Sequence, residues 1–162
     1  MSYPEPVYRG EPGLSNATLR RAEHEPEIRY ASGGVAHYLA TGASTNGQFG
    51  LYRWEMAATQ SGPEPHFHRT ISESFFVLAG TIRLYDGRGW IEGRPGDFLF
   101  VPEGGIHAFR NESGQPAAML ILFAPGAPRE EYFETTARLS HGLVLSDEEK
   151  AAFYLRHDTY WR

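Results

Sequence analysis

The feature that most limits what this chain can fold into is a rhythm of short apolar or aromatic runs, each closed by turn residues, between Val35 and Ala124. The runs are Val35–Thr41, Phe49–Ala57, Glu73–Ala79, Thr81–Tyr85, Trp90–Glu92, Asp97–Val101, His107–Asn111 and Ala117–Ala124. Their separators, among them QSGPEP, DGRG, GRPG, PEGG and ESGQP, are built from residues that reverse a chain. YDGRGW in particular reads as a hairpin. Evenly spaced strands of this kind specify an all-β sandwich or barrel, and eight of them make a jelly roll. SFFVLAG and AAMLILFA are apolar on both faces, whereas a lone open sheet alternates with polar residues. One face must therefore line an interior, and the other needs cover from a second sheet or a second subunit.

Composition narrows the partners. At 162 residues the chain is one domain long, and 41% hydrophobic content supplies an ample core. A net charge of -5 without any block of Lys or Arg argues against nucleic acid and anionic membrane surfaces. The longest apolar run, Ala117–Ala124, is far short of a membrane span. The first residues, MSYPEPVYRGEPGLSN, lack the basic start and apolar stretch of a secretory signal, and there is no Cys. These features predict a cytoplasmic protein whose partner is a small molecule.

Four residues predict what that molecule meets. His66 and His68 stand two apart, so an extended backbone puts both imidazoles on one face. Glu73 follows after the polar break RTIS, at the start of the next strand, where its carboxylate can return toward them. His107 arrives much later, behind the flexible glycines Gly104 and Gly105 of a Pro-Glu-Gly-Gly turn. Three imidazoles and one carboxylate suit a divalent first-row metal, and no Cys competes for it. If Glu73 points inward, alternation carries Phe75 and Val77 inward; if His107 does, Phe109 follows. Tyr52 and Trp54 share one face of LYRWEMAA, with Arg53 and Glu55 on the other. The pattern leaves open which of these faces the cavity, and core packing is the default role of the two aromatics. Tyr52, Trp54, Phe75, Val77 and Phe109 are thus the pocket candidates.

The same stretch resembles the cupins. Their first motif is matched by Gly62, His66, His68, Glu73 and Gly80, and their second by Gly96, Pro102, Gly104, His107 and Asn111. The one departure is a shorter spacing between Gly62 and His66. The resemblance implies an all-β double-stranded β-helix, the cupin jelly-roll barrel, holding one divalent transition metal (Fe, Mn, Ni, Co or Zn) on His66, His68, Glu73 and His107. Among single-domain cupins with a helical tail, the chain is similar to the quercetin (flavonol) dioxygenases, which implies an oxygenase acting on an aromatic or enolised small molecule. In that chemistry Glu73 serves both as ligand and as the base that takes the substrate proton. A non-redox cyclase, isomerase or lyase, like the cupin polyketide cyclases, and a non-catalytic binding cupin are the alternatives. Pairing of sheets, common in the family, predicts a homodimer.

The ends read differently. Residues 1–30 are polar and rich in Pro, an irregular arm in which His24 is solvated. The barrel spans 31–126. In 127–162, PREEYFETTARL and LSDEEKAAFYLRHD read as two short helices, the second with a capping box at Ser146 and Glu149. They are expected to pack on the outside of the barrel, with His141 and His157 remote from the ligands.

Overall fold

A computed structural model describes residues 2–162. The strands are β1 (Ile28–Arg29), β2 (Val35–Ala40), β3 (Gly50–Met56), β4 (His66–Phe67), β5 (Ser72–Ala79), β6 (Ile82–Tyr85), β7 (Trp90–Gly93), β8 (Phe98–Val101), β9 (Ala108–Arg110), β10 (Ala117–Ala124) and β11 (Tyr160–Trp161). Two helices follow the barrel strands, α1 (Glu130–Ser140) and α2 (Asp147–Arg156). All eight runs read from the sequence are strands. The sequence pattern did not mark the two-residue strands β1, β4 and β11, which are too short to show alternation.

A six-stranded sheet in the order β1-β2-β3-β10-β5-β8 faces a three-stranded sheet, β7-β6-β9, and β4 pairs with β11 at one end. Every pairing is antiparallel. Phe75 of the first sheet meets Phe109 of the second with ring centroids 5.5 Å apart, so the core lies between the sheets. In β5 the alternation is clean on the apolar side: Glu73, Phe75 and Val77 are buried, while Phe76 and Leu78 face out. β10 does the same with Ala117, Met119, Ile121 and Phe123. It sits between β3 and β5, which is why its run is apolar throughout.

Two motif glycines have steric reasons. Gly62 has φ 145°, and a Cβ there would run into the carbonyl of Phe109. Gly80 has φ 69°, and its Cβ would strike Pro116 and Ala117. Only glycine fits either place. Asn111, fully buried, works as a latch: its Nδ2 donates to the carbonyls of Ala57 and Gln115, and its Oδ1 accepts from Ser113. With both ends satisfied, the side chain ties the end of β9 to the residue after β3 and to the turn before β10.

The two helices do more than cover the outside. From α1, Phe133 enters the interior and meets Tyr52 and Trp54 at 5.1 Å each, edge to face. Burial of such a ring contributes about 2–3 kcal/mol, enough to hold a short helix that would not persist alone. α2 carries the expected capping box, Ser146 with Glu149, and anchors through Phe153, which stacks on Tyr132. The segment therefore closes one end of the barrel, because its apolar residues point at the mouth between the sheets. No helix among the described residues is long and apolar enough to cross a membrane.

Candidate metal centre

His66, His68, Glu73 and His107 come together, all four buried, with one potential ligand atom from each lying within 4.8 Å of all the others. Pairing of β4 with the chain before β9 achieves this. His66 and His107 exchange backbone hydrogen bonds of 3.0 and 2.8 Å as an isolated antiparallel bridge, which sets their rings 4.4 Å apart. The His-x-His spacing then delivers His68 to the same side, 5.1 Å from His66.

The tautomers are fixed by the backbone. His66 Nδ1 donates to the carbonyl of Glu64 at 2.8 Å, His107 Nδ1 to Gly105 at 2.9 Å, and His68 Nδ1 to Asp158 at 2.5 Å. A carbonyl can only accept, so each Nδ1 carries a hydrogen and each Nε2 is the nitrogen left to bind a metal. Nε2 of His107 and His68 lie 2.8 and 3.1 Å from the same oxygen, Glu73 Oε2. Bare lone pairs would repel that carboxylate, so the cluster calls for a cation or a proton at its centre. The donor set fits a divalent first-row metal: imidazole nitrogens already oriented, one carboxylate, and a buried setting.

Without an ion, the proton falls on His107. Burial disfavours its charge, but the carboxylate of Glu73 and the hydrogen bond to it prevail, and the pKa is raised. Glu73 shows the complement: burial raises it, yet the His107 charge and the hydrogen bond from His107 hold it well below the carboxylate range. His66 is pushed down to about 3, by burial first and by His107 next. It stays neutral and ready to coordinate.

The cluster opens into a cavity of about 270 Å³. Of the pocket candidates, Trp54 and Phe109 line it. Tyr52, Phe75 and Val77 face inward but do not reach its wall, which corrects their assignment: they are fully buried beneath it. Tyr52 donates to Glu130 Oε1 at 2.6 Å and packs between Tyr38, Phe123 and Phe133. The face of β3 that looks inward is therefore that of Tyr52 and Trp54, while Arg53 and Glu55 pair outside at 2.9 Å.

Met56, Ile121 and Phe123 of the barrel strands line the cavity as well, and the C-terminal segment adds Arg129, Tyr132, Phe133, Tyr154 and Trp161. Trp161 packs on His66 at 5.3 Å. Asp158, the residue whose carbonyl holds His68, uses its carboxylate to accept from Arg69 N, Thr70 N and Thr70 Oγ1, and so pins the turn between β4 and β5. His157 is buried against Tyr132 and Phe153 and is not a ligand, and exposed His141 bonds the carbonyl of Arg29. His24 is exposed in the arm. The backbone contact from Asp158 and the cavity-facing residues of α1 were missed from sequence. A main-chain carbonyl leaves no residue signature, and aromatic residues on a short helix read simply as packing.

A jelly roll with three histidines and a carboxylate converging inside it defines a barrel of the double-stranded β-helix class with a candidate metal site at its centre. The cupin domain family (Cupin_2) matches residues 52–123. The chain is 28% identical over 129 residues to quercetin 2,3-dioxygenase of Bacillus subtilis, covering 76% of this chain and 36% of that protein. It is 35% identical over 66 residues to an uncharacterized protein of Aquifex aeolicus, 38% of this chain and 50% of the other. It thus spans half or less of the length of these relatives. Among solved structures, a predicted oxalate decarboxylase of Thermotoga maritima superposes with a TM-score of 0.59 at 19% identity, over 67% of this chain and 99% of that one. An RmlC-like cupin of Shewanella frigidimarina gives 0.57 at 18%, over 72% and 96%. At these identities the structures speak for the fold alone. Residues 52–123 thus carry a match to the cupin domain, and the chain has the cupin fold.

Proposed function

We propose that this protein is a metal-dependent oxygenase acting on a small aromatic or enolised molecule. The observation that carries the reading is the set of three carbonyl-fixed imidazoles and one ionised carboxylate at the floor of an aromatic cavity. Similarity to a quercetin 2,3-dioxygenase over about a third of that protein's length supports the reaction class. His66, His68, Glu73 and His107 would hold one divalent ion, Fe, Mn, Ni, Co or Zn. Such an ion supplies Lewis acidity and, with four protein donors, open positions for a chelating substrate.

The chain's own groups do the rest. Glu73 is the one carboxylate in the cavity wall, and it is the group that accepts a proton from a substrate hydroxyl. Trp54, Phe109, Phe123 and Trp161 flank the site and favour a flat molecule while excluding water. At about 270 Å³ the cavity is smaller than the roughly 300–1,000 Å³ of drug-sized sites, which points to a compact substrate.

Oxygen uptake tests this. Protein loaded in turn with each of the five metals should consume oxygen with some member of a panel of catechols and 1,3-dicarbonyls. Turnover that proceeds equally without oxygen, with zinc bound, would transfer the protein to the non-redox class. The reading includes a cytoplasmic homodimer. Phe76 of β5 with Phe98 and Phe100 of β8 stand exposed on one sheet face, an apolar surface that a second copy would cover. Light scattering should give twice the chain mass, and a monomer at every concentration would contradict it.

A further inference from the structure

Beyond the ligands, one wall residue carries a full charge. Arg129 is 3% exposed and lies against the cavity. Its Nη1 donates to the carbonyl of His157 at 2.7 Å, and its Nε is buried without a partner. No carboxylate lies within salt-bridge distance of it among the described residues. The nearest acid in sequence, Glu130, bonds Tyr52 instead. The guanidinium rests on aromatic faces, with Cζ 4.1 Å from the Tyr132 centroid and 5.1 Å from that of Phe123.

Ring faces offset only part of the hydration that a buried guanidinium gives up, and buried charges are ordinarily paired. Glu73 is the only acid in the cavity wall, and its carboxylate is committed to His68 and His107. With an ion bound, Glu73 cancels part of that charge and Arg129 adds its own, so the cavity is net cationic inside a chain of net charge -5. The missing counter-charge has to come from the occupant.

We propose that Arg129 is the specificity residue of this cavity, and that the substrate is a small carboxylate whose anionic end it binds. The other end faces the ligand cluster. Phe123 sets the span, since its ring lies 6.3 Å from that of His68 as well as against Arg129. A planar acid of about one ring fits between them, and a guanidinium suits a carboxylate better than a point charge does. This rests on the cavity serving as a substrate site, as read above, but not on the identity of the metal or the redox class.

Benzoate and its neutral isostere benzamide are the probes, titrated against the holoprotein with Trp54 and Trp161 fluorescence as readout. Benzoate should bind at least about tenfold more tightly than benzamide. Arg129→Gln should remove that preference by weakening benzoate while leaving benzamide within about threefold, and Arg129→Lys should keep part of it. Equal binding of the two probes by the parent protein overturns the proposal, whatever the variants do. So does a preference that survives in folded Arg129→Gln, which would place the anion on the metal. Repeating the titration after chelation separates the two readings. A preference that persists there and still needs Arg129 supports this proposal even if the metal assignment fails, and one that vanishes with the metal overturns it.

Discussion

The barrel strands and the C-terminal segment build the same cavity with different kinds of residue. Strands β4 and β5, with the residues just after β4 and just before β9, supply the floor, four candidate ligands whose atoms lie within 4.8 Å of one another and whose rings are fixed by hydrogen bonds. The segment from Arg129 to Trp161 supplies one side of the wall, aromatic for the most part, and the only other charge, but no member of the four-residue cluster. The two are joined at several points: the Asp158 carbonyl holds His68, its carboxylate holds the turn after β4, and β11 pairs with β4. The division suggests that reactivity resides in the barrel and selectivity in the appended segment.

Perturbing the floor should have the largest effect. Glu73→Gln keeps the shape but removes the acceptor, and turnover should fall by about 10²–10⁴-fold while some metal remains. Full activity in that variant, measured by oxygen uptake, would take the base role from Glu73. Cutting the link comes next. Asp158→Ala frees the turn at Arg69 and Thr70 and loosens the carbonyl on His68, so metal affinity should drop about 10- to 100-fold in competition with a chelating dye. Unchanged affinity would mean that the two regions are independent.

A pH titration sharpens the comparison from the electrostatic side. Before an ion binds, His107 has a pKa raised above 6.5, so its pair with Glu73 contributes stability that is full below 6.5 and is lost as pH rises through the raised value. An ion must displace that proton. Metal affinity should therefore climb with pH, by up to about tenfold per unit below the raised pKa, and level off above it. Calorimetry in two buffers of different ionisation enthalpy should show proton release, and its absence would place no proton on His107. The smallest effect belongs to the wall's periphery: Ser146→Ala should cost about 1 kcal/mol through the lost cap on α2, with metal content unchanged.

The same division explains what could be read from the amino-acid sequence. The eight main strands, the capping box and the convergence of His66, His68, Glu73 and His107 were legible, because period-two alternation, turn residues and the spacing of metal-binding side chain types are local properties. Trp54 and Phe109 were legible as inward-facing, but inward position alone did not separate cavity wall from core, and Tyr52, Phe75 and Val77 fall on the core side. What decides is which of them the C-terminal segment covers, a contact between residues far apart in the chain. Phe133 and Glu130 settle the place of Tyr52 from about eighty positions away. Arg129 shows nothing in sequence, since its interest lies in the partner it lacks.

The most direct test of the account is elemental analysis of the purified protein beside its His66→Ala and His107→Ala variants, with folding checked by circular dichroism. About one divalent ion per chain in the parent, lost from both variants while the β-sheet signal stays, is the predicted result. Equal metal content in variants and parent, or none in a parent offered each of the five metals, would contradict it.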